Sequence, residues 1–197
     1  MIDPSILQEA GAKKIHLKKG EWVFRQGDHA LNYFQLIDGQ IKMSNFSEQG
    51  QEFVQGLFTE GQSFGEPPLF VDVTYPASAL ATTDSNLLKL GKDKFMDLLL
   101  ANPSVNLEVS KNLAKRLHYK AVMATEISSH DPEHRVLTLL KYLKAEMNLN
   151  TDELFAIELT RQQIADMTGL RVETVIRAIK KMESEGILII KNRKVYL

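Results

Sequence analysis

The side chains best suited to chemistry lie near the end of the printed sequence. From Arg171 onward there are seven Lys/Arg and three Asp/Glu. Guanidinium and ammonium groups bind phosphate oxygens, and an arginine can also bond a guanine edge through two parallel hydrogen bonds. The formal net charge of −1 hides this asymmetry: residues 1–131 hold 13 Lys/Arg against 16 Asp/Glu, and residues 132–197 hold 11 against 9. Positive charge is therefore concentrated where a phosphate-facing surface would lie.

Other chemistries find little support in the residue types. There is no cysteine, which excludes disulfides, thiolate metal sites and a cysteine nucleophile. No Ser/His/Asp, paired-carboxylate or phosphate-loop signature is present, so we expect neither an enzyme nor a metal site. The histidines leave haem open as an alternative cofactor. They are His16, His29, His118, His130 and His134.

The basic residues follow a pattern of two short helices joined by a tight turn. Thr160 is a good N-cap, and Gln163 completes the T-x-x-Q capping box of a helix that begins at Arg161. Gly169 supplies the positive φ that the turn requires. In the second helix, one face is apolar at helical spacing and the other is mostly basic. The apolar positions are Leu170, Val175, Ala178, Ile179 and Met182.

This arrangement predicts a helix-turn-helix, whose second helix fits the roughly 12 Å major groove of DNA. After Gly186, the runs "ILII" and "VYL" flank the basic segment 191–194. They predict a small hairpin, or wing, with a basic tip. The segment "LFAIEL" within 154–159 is expected to pair with it. The alternative is a solvated amphipathic helix pair that binds no DNA.

Length and composition indicate a globular protein of two domains. The chain has 197 residues, of which 44% are hydrophobic and 25% charged. No apolar run approaches the roughly 20 residues of a membrane span, and the N-terminus lacks the apolar core of a signal peptide. We therefore expect a cytoplasmic protein without a membrane partner.

Between Ile15 and Leu90 the sequence consists of short alternating segments separated by glycines. The stretches "EWVFRQGD", "YFQLIDGQIKMSNF", "EFVQGLF" and "SALATTDSNLLKL" predict antiparallel strands. Asp38-Gly39 is a strong hairpin signal. Regularly spaced strands of this kind predict a closed or sandwiched β architecture.

The glycine framework resembles that of a known family. "GEWVFRQGD", "YFQLIDGQIKM" and "GQSFGEPPLF", followed by the helix-turn-helix, are similar to Crp/Fnr transcription regulators over nearly the whole chain. The resemblance implies an α+β fold with an N-terminal antiparallel, jelly-roll-like β-roll, a long dimerisation helix and a C-terminal winged helix-turn-helix. The expected domains are 1–102 for the cyclic-nucleotide-binding-like effector domain, 103–130 for the dimerisation helix and hinge, and 131–197 for the DNA-binding domain.

The dimerisation helix has its own sequence signal. An uninterrupted helical pattern runs from Pro103 to about Ser128, and a 3-4-3-4-3 spacing within it predicts a coiled-coil seam. The alternative is that this stripe packs on its own β-roll. The seam positions are Ser110, Leu113, Leu117, Lys120, Ala124 and Ile127. Asp131 as N-cap and Pro132 at the first helical position predict a new helix beyond the hinge.

The second helix of the helix-turn-helix resembles the family's recognition hexad. The resemblance implies a palindromic double-stranded DNA site and RNA polymerase as a further partner. Arg177 would bond a guanine, Glu173 would accept from a cytosine N4, and Val172 would contact a thymine methyl. Phosphates would be held by Arg161, Gln162, Arg171, Thr174, Lys191, Arg193 and Lys194.

The effector pocket departs from the cyclic-AMP-binding members of the family. Gly65-Glu66 matches the pair that holds the ribose, but Pro76 and Ala77 stand where an Arg-Ser pair would hold the cyclic phosphate. Lys120 and Ala121 replace the two hydroxyl residues that contact adenine. We therefore expect an unidentified effector rather than cyclic AMP, and no evident cofactor. A haem-based gas sensor and a ligand-sensing regulatory subunit that acts on another protein remain alternatives.

Overall fold

The computed structural model describes residues 2–46, 52–129, 131–146 and 154–197. The chain forms two compact units, 1–115 and 116–197, and their boundary falls inside one long helix. Within the described ranges, none of the helices combines the length and apolarity that crossing a bilayer would require. The predicted helix junction at 131–132 lies in the second unit, whereas the predicted three-part division of the chain stays a prediction.

The first unit is dominated by antiparallel strands. Its helices are α1 (Pro4–Glu9), α2 (Pro67–Val71), α3 (Lys92–Ala101) and the start of α4 (Pro103–Ser129). Its strands are β1 (Lys13–Leu17), β2 (Trp22–Phe24), β3 (Asn32–Asp38), β4 (Ile41–Phe46), β5 (Glu52–Phe58), β6 (Ser63–Phe64), β7 (Ser78–Ala81) and β8 (Ser85–Gly91). They form two four-stranded sheets, in the orders β1-β8-β3-β6 and β2-β7-β4-β5. The predicted antiparallel β architecture is confirmed.

The chain turns at Asp38-Gly39 as predicted, but the predicted hairpin is wrong, because β3 and β4 belong to different sheets. The glycine of this turn is required. Gly39 has φ +93°, which disfavours any residue with a side chain. A Cβ at this position would also lie 2.3 Å from the Ser85 hydroxyl and 2.6 Å from the Asp84 carbonyl oxygen. Close packing on the start of β8 therefore leaves no room for a side chain at residue 39, where the chain passes from one sheet to the other.

Aromatic rings fill much of the interior of the β-roll. They belong to Phe24, Phe34, Phe58, Phe64 and Tyr75, each of which is buried and contacts another ring of the group. Aliphatic side chains from β3, β4 and β8 complete the core. Consecutive residues of β3 and β8 are buried, and Tyr33 of β3 stacks on Phe95 of α3, so both faces of their sheet are covered.

The second unit contains the end of α4, three more helices and a small sheet. The helices are α5 (Pro132–Glu146), α6 (Arg161–Thr168) and α7 (Val172–Ser184), and the strands are β9 (Ala156–Ile157), β10 (Ile189–Lys191) and β11 (Lys194–Tyr196). The sheet order is β10-β11-β9, so the predicted pairing of the "LFAIEL" segment with the wing is confirmed. Fully buried residues from α5, α6, α7 and β11 form the core: Val136, Leu139, Leu140, Ile164, Val175 and Val195.

The predicted helix starts are confirmed, with one shift. Asp131 caps α5, since its carboxylate accepts from the backbone N–H of Glu133 at 2.9 Å. The helix α7 begins at Val172 rather than at Leu170. The backbone N–H of Leu170 still bonds the carbonyl of Ala165 in α6, and Arg171 is extended as the N-cap of α7. Leu170, predicted as an apolar position of the second helix, therefore lies in the turn.

Candidate nucleic-acid interface and effector pocket

The turn between α6 and α7 is held by local hydrogen bonds. The Thr160 hydroxyl accepts from the backbone N–H of Gln163 at 3.1 Å, and the Gln163 side chain accepts from the N–H of Thr160 at 2.8 Å. Gly169 ends α6 with φ +67°. The predicted capping box and glycine turn are thus present, and together they set the direction in which α7 leaves α6.

The helix α7 has one buried face and one exposed face. Val175, Ala178, Ile179 and Met182 are buried. The opposite face exposes Glu173, Ile176, Arg177 and Lys180, at spacings of three, one and three residues that place them side by side on a helix. The predicted base-reading residues Glu173 and Arg177 lie on this face, whereas Val172 is half-buried at its start.

Two residues of the exposed face were not among the predicted DNA contacts. Ile176 is 38% exposed although it is a large apolar residue, and it lies between Glu173 and Arg177 along the helix. Lys180 lies one turn further on, and it is also exposed. Their helical spacing from Glu173 was already visible in the sequence and would have placed both on the same surface.

The predicted phosphate contacts on α6 and α7 differ in how they are held. Arg161 is half-buried, and burial lowers the pKa of its guanidinium, an effect that Glu183 opposes. Gln162 is exposed and donates to the Asp166 carboxylate at 2.7 Å. Thr174 is half-buried, and its hydroxyl lies 3.5 Å from Nη2 of Arg177. The remaining one, Arg171, is exposed as the N-cap of α7.

The wing presents its basic side chains on a tight two-residue turn. Asn192 and Arg193 both have positive φ, +51° and +64°, as hairpins with two-residue loops require. Lys191, Arg193 and Lys194 are exposed. The Lys194 ammonium also pairs with Glu158 at 2.7 Å, and this hydrogen bond raises the pKa of the lysine. Contact of Lys194 with a phosphate would therefore compete with an ion pair inside the chain.

Most of the predicted seam on α4 is exposed in the single chain. Ser110, Lys120, Ala124 and Ile127 are exposed, and Leu117 is 70% exposed. Leu113 differs, because it packs against the core of the β-roll. The buried face of α4 instead carries Val105, Val109, Met123 and Glu126. Five of the six seam positions thus form a surface stripe, and the seam itself stays a prediction.

Lys120 and Ala121 lie on the exposed side of α4 within the second unit. Surrounding protein lowers the pKa of Lys120, and the positive charge of Arg116 lowers it further. The side chain nevertheless keeps substantial contact with solvent. A charge in this position is held at some electrostatic cost before any partner approaches it.

Gly65 and Glu66 lie beside the aromatic interior of the β-roll. Gly65 has φ +79°, and a Cβ there would approach the rings of Phe24 and Tyr75 to 3.2 and 3.3 Å. Glu66 is buried. Burial raises the pKa of Tyr75 to about 12, with further contributions from the negative charges of Asp28 and Glu66, while a hydrogen bond to Asn32 opposes the shift. Buried aromatic rings therefore surround Gly65, with the buried Glu66 next to it in the chain.

The other two predicted pocket positions do not face the same way. Ala77 is fully buried, whereas Pro76 is exposed. The next residue, Ser78, accepts a hydrogen bond from the backbone N–H of Gln26 at 2.9 Å. The structure thus brings Gly65, Glu66 and Tyr75 together, and it places a methyl group rather than a hydroxyl at residue 77.

The histidines do not gather into a ligand set in the described chain, where no group of three or more His, Asp or Glu could hold a metal ion. His16 lies 3.2 Å from the Asn86 side chain, and His134 pairs with Glu126. His130 lies outside the described residues. Haem therefore stays an untested alternative.

Two family models match the two ends of the chain. Residues 14–102 match a cyclic nucleotide-binding domain, and residues 134–197 match a Crp-like helix-turn-helix domain. The chain is 24% identical over 197 residues to the transcriptional activator protein anr of Pseudomonas aeruginosa, covering 99% of this chain and 80% of that one. It is 27% identical over 164 residues to the cAMP-activated global transcriptional regulator CRP of Haemophilus influenzae, covering 82% and 73%.

Solved structures share the fold. The c-di-GMP responsive global regulator CLP of Xanthomonas campestris matches with a TM-score of 0.75 at 22% identity, covering 99% of both chains. A CooA mutant from Carboxydothermus hydrogenoformans matches with a TM-score of 0.79 at 19% identity, covering 100% of this chain and 87% of that one.

Fold and matched domains together define a DNA-binding transcription regulator with a cyclic-nucleotide-binding-like sensor domain. The chain belongs to the Crp/Fnr family, as its glycine framework and helix-turn-helix indicated. This is a family of transcription regulators and not of enzymes.

Proposed function

We propose that this protein is a homodimeric regulator that binds a palindromic DNA operator and responds to an effector other than cyclic AMP. One observation carries the first half of this proposal. The exposed face of α7 places Glu173, Ile176 and Arg177 side by side on a helix whose other face is fully buried. Such a helix offers acceptor, apolar and donor groups to base edges in a major groove.

The flanking residues support this orientation. Arg161 and Gln162 begin α6, Arg171 precedes α7, and the wing adds Lys191 and Arg193. These cationic and polar groups would hold phosphates on either side of the groove. RNA polymerase would be the protein partner at such a site.

The exposed stripe on α4 supports the dimer. Leu117, Ala124 and Ile127 would lose contact with water if two copies of α4 packed together, which stabilises the association. A two-fold axis along this helix would place the two copies of α7 in successive major grooves about 34 Å apart. The operator is therefore expected to be a palindrome.

The effector half of the proposal depends on charge. A cyclic nucleotide carries a phosphate, and its binding would require positive charge beside the Gly65-Glu66 pair. Pro76 and Ala77 add no positive charge. At these two positions the cyclic phosphate would thus lose its hydration without gaining a charge-assisted hydrogen bond.

Selection from a random duplex library with the purified full chain tests the proposed function. We expect a palindromic consensus with two equivalent half-sites, and weaker binding as salt rises because phosphate contacts release counterions. Enrichment of no sequence would contradict the proposal. The protein would then fit better as a ligand-sensing regulatory subunit that acts on another protein.

A further inference from the structure

Arg135, near the start of α5, is a buried charged residue that the proposed function does not use. Only 8% of its surface is exposed. Burying a guanidinium is costly unless hydrogen bonds and opposite charge replace the lost water. The partners of Arg135 therefore indicate why the fold keeps a positive charge at this point.

The guanidinium bonds the ends of two other helices. Its Nη2 donates to the carbonyl oxygens of Ile127 at 3.0 Å and Glu126 at 3.4 Å, both near the end of α4. Its Nη1 donates to the carbonyl oxygen of Thr168, the last residue of α6, at 3.3 Å. In the described part of the chain, the Nε atom alone has no hydrogen-bond partner.

These partners suit a cation. The last four carbonyls of an α-helix have no partner inside the helix, and they carry the negative end of the helix dipole. Arg135 satisfies such carbonyls on two helices at once. A guanidinium can do this because its donors point in several fixed directions, whereas a lysine ammonium is a compact charge on a flexible stem.

The end of α6 that Arg135 contacts is held by further hydrogen bonds. Thr168 is fully buried, and its hydroxyl donates to the carbonyl oxygens of Ile164 at 2.6 Å and Ala165 at 3.2 Å. Gly169 then turns the chain directly into α7. A displacement of the end of α4 would therefore also displace Arg135 and the end of α6, and with them the start of α7.

We infer that Arg135 is a positioning residue that fixes α6 and α7 relative to the end of α4, and so sets the spacing of the two DNA half-sites. This inference rests on the proposed function, because spacing has meaning only for a dimer built on α4. Arg135 touches no base in this account. Its effect is on the angle at which each copy of α7 is presented.

The test compares the wild-type full chain with Arg135→Lys. This substitution keeps the positive charge but removes the fixed, planar set of N–H donors of the guanidinium. Lys141→Met is the matched control, since Lys141 is an exposed cation on the same helix. Binding is measured on the palindrome selected by the wild type, on duplexes with one base pair added to or removed from its centre, and on one half-site. Each inserted pair rotates one half-site by about one tenth of a turn.

We expect one inserted base pair to weaken wild-type and Lys141→Met binding about tenfold or more, but Arg135→Lys binding less than about threefold. Affinity for the single half-site should stay within about twofold of the wild type, because the α7 surface is unchanged. Arg135→Met removes the charge as well. It should show the same weakened spacing preference and the same half-site affinity as Arg135→Lys, because both variants lack the guanidinium donors.

Hydrogen exchange on the DNA-free chain provides a second readout. Arg135→Lys should speed exchange in the last turns of both α4 and α6, and leave the middle of α5 as protected as in Lys141→Met. Equal loss of half-site and palindrome binding, with faster exchange throughout α5, would reveal a merely structural role and overturn the inference.

Retention of wild-type spacing preference by Arg135→Lys would also overturn it, as would a wild type that tolerates every spacing. In the latter case sequence-selective binding would still stand, so the inference alone would fail. If the wild type selects no sequence, the proposed function fails and the inference fails with it.

Discussion

The ring of Tyr75 lies stacked on the ring of Phe24, with centroids 3.6 Å apart and planes 10° from parallel. This pair sits against Gly65, in the part of the β-roll where the family resemblance places an effector. The Tyr75 hydroxyl donates to the Asn32 carbonyl at 3.1 Å. Packed aromatic rings and a buried carboxylate therefore occupy the surroundings of the Gly65-Glu66 pair.

Cyclic AMP should bind weakly to this surface. Without an arginine at residue 76, the complex lacks a charge-assisted bond worth about 1.5–3 kcal/mol, or tenfold or more in affinity. Isothermal calorimetry on the full chain measures this directly. Dissociation constants in the low-micromolar range would show that another group neutralises the phosphate and that our account of the pocket is wrong.

Arg177→Ala and Lys194→Ala should have different effects on DNA binding. Loss of Arg177 removes two bonds to one base, so we expect a loss of about 1–3 kcal/mol and relaxed preference at that base pair. Loss of Lys194 should weaken all sequences alike and reduce the salt dependence. The Lys194 effect should be small, because Glu158 already competes for this ammonium.

Repeating the selection with each variant distinguishes these roles. An Arg177→Ala chain that selects the wild-type consensus unchanged would reverse our assignment, particularly if Lys194→Ala lost it. Glu158→Gln is the useful control, since it frees Lys194 without altering the α7 face.

Ile176 should read a thymine methyl group. It is the apolar member of the exposed α7 face, and the thymine C5-methyl is the apolar group that the major groove presents. Replacing thymines of the operator by uracil removes only this methyl. One such position should weaken wild-type binding about threefold to tenfold, and it should have no effect on Ile176→Ala.

A double-mutant cycle that combines Ile176→Ala with the thymine-to-uracil change tests this contact directly. If uracil weakens the wild type and Ile176→Ala by the same factor at every position, then Ile176 does not contact a methyl group. The side chain would then be an exposed residue without a role in base selection.

Lys120→Leu should strengthen the dimer. Two copies of Lys120 would face each other across the predicted seam, and the protein environment and Arg116 already lower the pKa of this lysine. Leucine at a seam position removes that repulsion and adds apolar area. Analytical ultracentrifugation should show tighter association than for Lys115→Leu, which changes an exposed lysine of α4 outside the seam.

The same variant should bind its operator without any added effector, if an anionic effector normally relieves the charge. Unchanged association of Lys120→Leu, together with unchanged dependence on conditions, would place the switch elsewhere. An effector shifts the equilibrium only if it binds the DNA-competent form more tightly.

Local sequence signals predicted much of this fold. The capping box at Thr160 and the glycine turn at Gly169 are each set by neighbouring residues, so the pattern alone indicates them. Asp38-Gly39 indicated a turn in the same way, but not that the two strands it joins enter different sheets. The wing and its third strand also followed from short apolar runs.

The features that escaped prediction depend on residues far apart in the chain. Arg135 bonds a residue 33 positions away, and the partners of Tyr75 come from β2 and the start of β3. No local pattern marks such contacts. Leu170 was counted among the apolar positions of the second helix, but its backbone N–H bonds the carbonyl of Ala165, and it lies in the turn before α7.

The most direct test of the central claim is the affinity of the full chain for its selected operator, compared with the same duplex after one half-site has been scrambled. Fluorescence anisotropy at two salt concentrations gives both values. A dimer that reads two half-sites should lose about 10²-fold or more when one is scrambled, and both affinities should fall as salt rises. Equal affinity for the intact and the half-scrambled duplex would contradict a dimeric reader of palindromic DNA.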